Sequence, residues 1–352
     1  MLKQNIYYTK KHIFYSITSM FLTIALFLPS IVLSNAQELN LYTARHYSSD
    51  KEIYRIFTKQ TGIKIREVTS KDQALLERLK SEGSASPADV IILADAARLW
   101  RAENLGFFQN LDSNKIFKAV PKQFQSNNKW IGLTTRARII VVNKRRYPSK
   151  NIESYNDLAN LEFKNQFCSR SSTHPYMLSL VSSMIINNGI VNTEDWAKKV
   201  VLNQARTPRG GDTDQIRAVA SGECGIALTN SYYLVRLMRS SNPRDRAIVK
   251  KIRFVMPNQK TTGTHINVTG GGVAKHSPNP KNAKLFLEFL ISKTVQQLFA
   301  KGNNEWPIIK NIELENSKLT SLGKFKRDKL SMGKIGKNQF GAQKLLDIAG
   351  WK

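Results

Sequence analysis

The sequence predicts an α/β fold, and three observations support this. Short apolar runs typical of strands alternate with amphipathic runs typical of helices, an order found in mostly parallel sheets covered by helices. Several helical runs begin after Ser, Asp or Asn and end near Gly, as helices commonly do. The chain has 352 residues, which is enough for two lobes of ordinary domain size.

The first part of the chain shows the alternation clearly. A first strand that ends in a turn is predicted within residues 38–47, where apolar residues alternate. Residues 48–68 predict a helix, capped by Ser49 or Asp50, and then a second strand. Residues 74–106 predict a helix, a loop, a buried strand and another helix.

The later part of the chain continues the same order. The strand predicted at residues 134–144 is expected to cross between the two lobes, and a helix is predicted within residues 173–189. Residues 212–238 predict a helix, a strand and a second helix, with Asp212 or Thr213 as the first cap.

Two further segments carry structural predictions only. The glycine-rich run at residues 269–272 lacks the lysine and the spacing of a phosphate-binding loop, so a tight connection between strands is expected. Residues 279–303 predict one long amphipathic helix.

Residues 1–36 have the features of a signal peptide. The segment contains three lysines near its start, an apolar run over residues 13–33, and small residues at Ser34 and Ala36. Cleavage after Ala36 would make Gln37 the new N-terminus and would direct the protein to the periplasm. An uncleaved membrane anchor is the alternative, because the apolar run is long enough to span a bilayer.

The chain is strongly basic, with 54 Lys and Arg against 26 Asp and Glu and a formal net charge of +28. Such a charge often indicates a nucleic-acid partner or an anionic surface. The basic residues are spread along the chain, and export argues against nucleic acid. We therefore expect a solvated surface suited to an anionic membrane face or an acidic partner.

Four tyrosines lie where predicted strands give way to helices. They are Tyr47, Tyr176, Tyr232 and Tyr233. Ligands of open α/β sheets bind at the carboxyl ends of strands, so the four phenols could meet in one cleft. The alternative for the adjacent pair is that one tyrosine belongs to the core and the other to the surface.

Phenolate is a hard, anionic oxygen ligand, and a hard trivalent cation such as Fe3+ is its natural partner. Four phenolates on Fe3+ would leave a negative charge that arginines could offset. The candidates are Arg45, Arg136, Arg138 and Arg236, although each could instead be a surface charge. Arg236 is expected on the helical side of the tyrosine pair.

Four segments of the chain resemble the bacterial periplasmic ferric-ion-binding proteins, and most closely their cyanobacterial FutA branch, the substrate-binding proteins of ABC iron importers. The segments are LNLYTARHYSSDKEIYRIFTKQTGIKI, SPADVIILADAARL, RARIIVVNK and DTDQIRAVASGECGIALTNSYY. The resemblance extends over essentially the whole chain after residue 36.

The resemblance implies a Venus-flytrap architecture, in which two α/β lobes are joined by hinge strands. The expected first lobe comprises residues 37–137 plus 264–310, and the second comprises residues 138–263 plus 311–352. The implied protein is a monomer without enzymatic activity. It would bind ferric iron between the lobes and deliver it to the permease of an inner-membrane ABC transporter.

The resemblance also implies a ligand set. Tyr232 and Tyr233 match the iron-binding tyrosine pair, and Tyr47 and Tyr176 match the further tyrosines of the FutA branch. His46 matches a histidine whose ligation is left open. Whether water or an anion such as carbonate or citrate completes the shell is also open, as is a preference for Fe3+ or Fe2+.

One position departs from other branches of the family, which carry a ligating glutamate where this chain has Ala94. A site built on glutamate and carbonate is therefore not expected. The neighbouring Asp95 is expected to cap a helix instead.

The two cysteines, Cys168 and Cys224, are expected to form a disulfide in an oxidising compartment. The bridge would tie together the strands that lead to the tyrosines of the second lobe. No cluster of ligands suited to zinc occurs in the sequence.

Two other functions remain open at this stage. A two-lobed protein of this kind could bind an organic or inorganic anion through its arginines. An exported hydrolase is the second alternative, but no signature of a nucleophile and its base is present.

Overall fold

A computed structural model describes residues 37–45 and 47–352. The predicted signal peptide and His46 lie outside the described residues. In the described part of the chain, no helix is long and apolar enough to cross a membrane.

Strands and helices alternate as predicted. The first elements are β1 (Glu38–Thr43), α1 (Ser48–Thr61), β2 (Lys64–Thr69), α2 (Asp72–Glu82), β3 (Val90–Ala94), α3 (Ala96–Asn104), α4 (Asn114–Ala119), β4 (Gln125–Ser126) and β5 (Trp130–Asn143). The middle elements are β6 (Phe167–Cys168), α5 (Pro175–Asn188), α6 (Ile190–Leu202), α7 (Asp212–Ser221), β7 (Ile226–Asn230), α8 (Ser231–Arg239) and α9 (Pro243–Lys250). The last elements are β8 (Ile252–Val255), β9 (Ile266–Val273), α10 (Pro280–Leu290), α11 (Lys293–Asn303), β10 (Trp306–Pro307), α12 (Ser317–Thr320), α13 (Met332–Lys337) and α14 (Gln339–Ile348). Short 3-10 helices occupy Gly83–Ala85, Lys122–Phe124, Asn156–Ala159 and Leu161–Phe163.

The strands form one continuous path in the order β2-β1-β3-β9-β5-β7-β6. The strand β1 is parallel to β2 and β3, and β6 is parallel to β7. The strands β9 and β5 run antiparallel to their neighbours and join these two parallel groups. The fold is therefore α/β, as predicted, and the two parallel groups have their own neighbouring helices.

The long strand β5 belongs to both groups. Its first part pairs with β9, and its last part pairs with β7 and β8. All fourteen residues of β5 are buried. Ile139 and Val141 enter one hydrophobic cluster and Ile140 and Val142 enter another, so both faces of the strand are covered.

Three helix boundaries differ from the predictions. The helix α1 begins at Ser48, with Tyr47 in the cap position. Gly211 caps α7, and Asp212 is free to turn its carboxylate toward Arg138. The long helix expected over residues 279–303 is divided into α10 and α11, because the Ser292 hydroxyl accepts a hydrogen bond from Val295 N and begins a new helix.

The sequence predicted a tight connection at the glycine run, but the structure places the run inside β9. A Cβ atom on Gly270 would lie 2.5 Å from the carbonyl oxygen of Ile131. A Cβ atom on Gly271 would lie 2.6 Å from the carbonyl oxygen of Ile91. Glycine is needed here because neighbouring strands approach too closely for any side chain.

The predicted disulfide between Cys168 and Cys224 is present, and the two Cα atoms are 6.0 Å apart. Cys168 ends β6, and Cys224 lies just before β7. The bridge therefore joins the two parallel strands that lead toward Tyr176 and Tyr232, as predicted.

Candidate metal centre

The tyrosine pair lies at the start of α8, directly after the carboxyl end of β7. Asn230 is the cap residue, which places Tyr232 and Tyr233 in the first helical turn. Their ring centroids are 4.1 Å apart, and the rings are inclined by 31°. Tyr232 is buried and Tyr233 is half-buried. Neither tyrosine is simply a surface residue.

Tyr176 lies at the start of another helix, α5. Pro175 occupies the first turn, and the preceding His174 caps the helix by accepting a hydrogen bond from Tyr176 N at 3.2 Å. Burial and the nearby Arg170 lower the pKa of His174 to about 2, so the ring is neutral and can accept this bond. His174 thus fixes the start of α5, and Pro175 favours the helical conformation there.

The phenols of both helices meet. The Tyr176 and Tyr232 hydroxyl oxygens are 3.1 Å apart. Tyr47 belongs to the same group, because its pKa is raised by burial, by Glu305, and also by the phenols of Tyr176 and Tyr233. The four tyrosines, which the sequence places at three strand-to-helix turns, therefore lie close together. The structure does not describe the neighbouring His46.

The phenols of Tyr176 and Tyr232 are protonated in the absence of a ligand. Burial is the main cause that raises the pKa of both Tyr176 and Tyr232, and it outweighs the nearby Arg136, which lowers the pKa of both phenols. A cation bound between them would reverse this preference, because it stabilises the phenolate form. The site therefore suits a cation strong enough to displace phenolic protons.

Arg136 is buried beside the phenols. Its guanidinium lies 5.3 Å from the centre of the Tyr176 ring, and Nη1 donates to Thr269 Oγ1 at 3.0 Å. Its Nε and Nη2 atoms have no hydrogen-bond partner in the described part of the chain. Buried donors without acceptors are costly, so this arginine is poised to stabilise negative charge in the centre.

Arg45 is the second buried arginine of the centre. Its Nε and Nη2 atoms donate to the two oxygens of Asp50 at 2.7 and 3.0 Å. Its guanidinium lies 5.1 Å from the centre of the Tyr47 ring. The third nitrogen, Nη1, has no hydrogen-bond partner among the described residues.

Glu305 lies between these two arginines, and sequence reasoning did not identify it. Its carboxylate oxygens are 3.7 Å from Arg45 Nη1 and 3.5 Å from Arg136 Nη1. It also accepts a hydrogen bond from Thr134 Oγ1 at 2.6 Å. Glu305 is only 1% exposed, and its carboxyl group is held between the two arginines. No local pattern marks it, because its partners are distant in sequence.

Two more arginines lie over the tyrosine rings. Arg236, as predicted, lies on the side of the tyrosine pair, 5.9 and 5.1 Å from the ring centres of Tyr232 and Tyr233. Arg170 was not predicted, although it lies in the loop that leads to α5 and Tyr176. Its guanidinium lies 5.3 Å from the centre of the Tyr176 ring. Both arginines add positive charge around the phenols.

Arg138 supports the centre from a neighbouring position. Its Nη1 donates to Asp212 Oδ2 at 2.7 Å and to Asn230 Oδ1 at 3.2 Å. Asp212 also accepts from the backbone N–H of Asn230 at 2.7 Å. These bonds hold the residue that precedes α8, and so they help to fix the direction of the tyrosine pair.

Asp95 caps α3, as the sequence predicts, by accepting from Ala97 N at 2.9 Å. It also accepts from Ser179 Oγ at 2.5 Å and from Asn267 Nδ2 at 2.7 Å. Three donors therefore occupy its buried carboxylate. Asp95 consequently links three segments of the fold and has little capacity left for a metal ion.

The ligand atoms that the centre can offer to a cation are the phenol oxygens. Among residues 37–45 and 47–352, no cluster of three or more His, Cys, Asp or Glu could hold a metal ion. The four gathered phenols are hard, anionic ligands when deprotonated, and buried arginines surround them. This combination suits a small, hard, highly charged cation.

Comparison with known proteins identifies the family of this chain. A family model described as bacterial extracellular solute-binding protein matches residues 52–327. Iron uptake protein A1 of Synechocystis sp. is 44% identical over 317 residues, which cover 90% of this chain and 88% of that protein.

Solved structures show the same similarity. FutA (IdiA) of Trichodesmium in complex with iron and citrate has a TM-score of 0.86 and 44% identity, covering 90% of this chain and 100% of that chain. The ferric binding protein from Campylobacter jejuni has a TM-score of 0.83 and 39% identity, covering 89% of this chain and 100% of that chain. This chain therefore belongs to the family of bacterial extracellular solute-binding proteins, has their two-lobed α/β fold, and resembles the FutA branch, as its sequence indicates.

Proposed function

We propose that this protein binds ferric iron between its lobes through the phenolates of Tyr47, Tyr176, Tyr232 and Tyr233. The observation that carries the proposal is the 3.1 Å approach of the Tyr176 and Tyr232 hydroxyl oxygens, with the other two phenols beside them. Relatives named for iron uptake and ferric iron binding support the same cargo. His46 is a further candidate ligand.

The charges of the site favour Fe3+ over Fe2+. Four phenolates and one Fe3+ leave a formal charge of about −1, which Arg170 and Arg236 over the tyrosine rings can offset. The free N–H groups of Arg45 and Arg136 can donate hydrogen bonds to the phenolates. With Fe2+ the residual negative charge would be larger and each phenolate would be less well stabilised. Phenolates therefore favour Fe3+ over Fe2+ through its higher charge as well as its greater hardness.

Uptake would proceed by closure of the lobes and involve no catalysis. We propose that residues 37–137 plus 264–310 form one lobe and residues 138–263 plus 311–352 the other, with β5 and β9 as hinges. Closure would bring Tyr47 of the first lobe to the three tyrosines of the second and exclude water. As a periplasmic monomer, the protein would then release iron to the permease of an inner-membrane ABC transporter.

A visible absorption titration tests the phenolate site. Purified protein titrated with ferric citrate should develop a broad visible band that saturates at about one iron per chain, because ferric phenolates absorb visible light. The band should be absent in a Tyr232→Phe/Tyr233→Phe variant. A Tyr147→Phe variant is the matched control, since Tyr147 packs against Phe163 and should leave the band unchanged.

Anion binding is the alternative function, which the buried, unpartnered N–H groups of Arg45 and Arg136 would support. The absorption titration, compared with a titration by an iron-free anion, separates the two functions. Calorimetry with iron-free citrate supplies the comparison. Saturable heat from citrate in a wild-type protein that never develops the band would show an anion-binding protein and would refute the phenolate site. Thermal unfolding of each variant confirms that it is folded.

A further inference from the structure

A cavity of about 440 Å³, separate from the candidate metal centre, lies at the end of β5. We name it the basic cavity. Its lining includes Lys144, Arg145, Arg146, Ser221, Gly222 and Lys251. No part of the proposed iron mechanism uses these residues. The volume falls in the range of small-molecule sites.

The basic cavity is distant from the candidate metal centre. Asn143, which lines the cavity, follows Arg138 by five residues on β5, a separation of about 17 Å along a strand. The pairing of β5 with β7 gives the same result, because Arg138 is opposite Asn230 whereas Val142 is opposite Ile226. The cavity and the tyrosine pair therefore lie at opposite ends of this part of the sheet.

The charge of the basic cavity is not balanced within the protein. Four of its lining residues are Lys or Arg, and none is Asp or Glu. Glu223 directly follows the lining residue Gly222, but its carboxylate pairs with Arg206 and Arg209 at 2.9 and 3.1 Å.

The four cations also make few contacts of their own. Among residues 37–45 and 47–352, the polar contacts of their side chains are those of Lys144 Nζ with the Lys250 carbonyl oxygen and of Arg146 with Gln166. Neither acceptor carries a charge. The cations therefore retain most of their hydrogen-bonding capacity.

The helix α7 accounts for only part of this cluster. Its carboxyl end, at Ser221, lines the cavity and carries a partial negative charge equivalent to about half an electron. Nearby cations stabilise such a helix end, but one cation is sufficient. The four cations are exposed at the rim of one cavity, and without a carboxylate among the lining residues their net positive charge attracts an external anion.

We propose that the basic cavity binds a phosphoryl group, either of a soluble phosphate ester or of an anionic lipid headgroup. The terminal phosphoryl group of a monoester carries up to about two negative charges and three strongly accepting oxygens, which matches several donors around one cavity. A carboxylate carries one charge on two coplanar oxygens and would leave most of the cations unbalanced. Arginine binds phosphate through paired N–H groups, and lysine adds a point charge.

Isothermal titration of the iron-free protein with glycerol phosphate tests the proposal independently of iron binding. One saturable site is expected, with weaker binding of succinate as the carboxylate comparison. An Arg145→Gln/Lys251→Gln variant should lower the affinity about tenfold or more, because two charge-assisted contacts are lost. The matched control is Lys310→Gln/Lys329→Gln, which removes the same charge from exposed positions outside the cavity.

Flotation with vesicles identifies the source of the phosphoryl group. Vesicles of phosphatidic acid, whose headgroup is a phosphate monoester, mixed with phosphatidylcholine are compared with phosphatidylcholine alone. Site-dependent binding of vesicles supports a lipid headgroup, and site-dependent binding of glycerol phosphate alone supports a soluble ester. If neither probe binds, if succinate binds equally well, or if both double variants weaken binding equally, the proposal is wrong.

Discussion

The hydroxyl oxygens of Tyr176 and Tyr232 lie 3.1 Å apart, although the residues are separated by 56 positions in sequence. The disulfide partners Cys168 and Cys224 have the same separation of 56. Each cysteine precedes its tyrosine by eight residues. The covalent bridge between β6 and β7 and the phenol contact therefore form two connections across the same pair of strand-to-helix segments.

Iron binding should release protons. Burial raises the pKa of Tyr176 and Tyr232 above the usual value, so both phenols are protonated at neutral pH and each must lose its proton to coordinate. The apparent affinity for Fe3+ should therefore rise with pH. Calorimetric titrations in buffers of different ionisation enthalpy measure the number of protons released.

The Tyr176→Phe variant is the matched comparison for this measurement. It should release about one proton fewer than the wild type, since it lacks one phenol that can be deprotonated. An affinity that is independent of pH, with no protons released, would contradict coordination by phenolates.

Removal of the disulfide should destabilise the protein. A Cys168→Ser/Cys224→Ser variant loses a bridge across 56 residues, worth about 4 kcal/mol in the free energy of unfolding on the chain-entropy model. Urea denaturation of the variant and of the reduced wild type should give similar losses. Equal stability of the variant and the oxidised wild type would show that the bridge does not stabilise the folded state.

Glu305→Gln should destabilise the iron-free protein more than the iron-bound protein. The change leaves Arg45 and Arg136 buried without their shared carboxylate, and breaking a buried ion pair by removing one partner costs roughly 3–5 kcal/mol. Bound iron should reduce the loss, because phenolates then supply negative charge beside both arginines. Urea denaturation with and without Fe3+ measures the difference.

The control for this experiment is Glu315→Gln. Glu315 forms an exposed ion pair with Lys301 at 3.0 Å, so its loss should cost at most about 1 kcal/mol. If Glu305→Gln destabilises the iron-bound and iron-free proteins equally, the carboxylate has a structural role that is unrelated to the charge of the centre.

Gly270→Ala should destabilise the sheet. The added methyl group would lie 2.5 Å from the Ile131 carbonyl oxygen and 2.8 Å from Leu99 Cδ1, and overpacking of this kind costs about 1–3 kcal/mol. Gly341→Ala is a suitable control, because Gly341 lies in α14 and alanine favours helices. If Gly270→Ala unfolds at the same midpoint as the wild type, the neighbouring strands can move apart to admit the methyl group without loss of stability.

The sequence was a good guide wherever structure depends on local pattern. The alternation of strands and helices was correct because apolar periodicity is a local property of the chain. The four tyrosines could be assigned to one site because the carboxyl ends of strands in such sheets share an edge. The disulfide was likewise predictable, since the chain has only two cysteines.

The sequence was a poor guide where distant segments meet. The glycines of β9 looked like a turn, because the close approach of Ile91 and Ile131 cannot be inferred from the glycines alone. The break between α10 and α11 was missed because a serine cap at Ser292 competed with a continuous apolar pattern.

By itself, the sequence determined the α/β order, the four tyrosines at the ends of strands, the cysteine pair and the strong positive charge. Only the tertiary structure decided that Glu305 lies between Arg45 and Arg136 and that Asp212 forms an ion pair with Arg138. It also decided that four basic residues line one cavity that has no carboxylate in its lining. Periodicity and helix caps depend on residues within a few positions of each other. Electrostatic partners depend on distance in space, which the fold sets by bringing remote segments together.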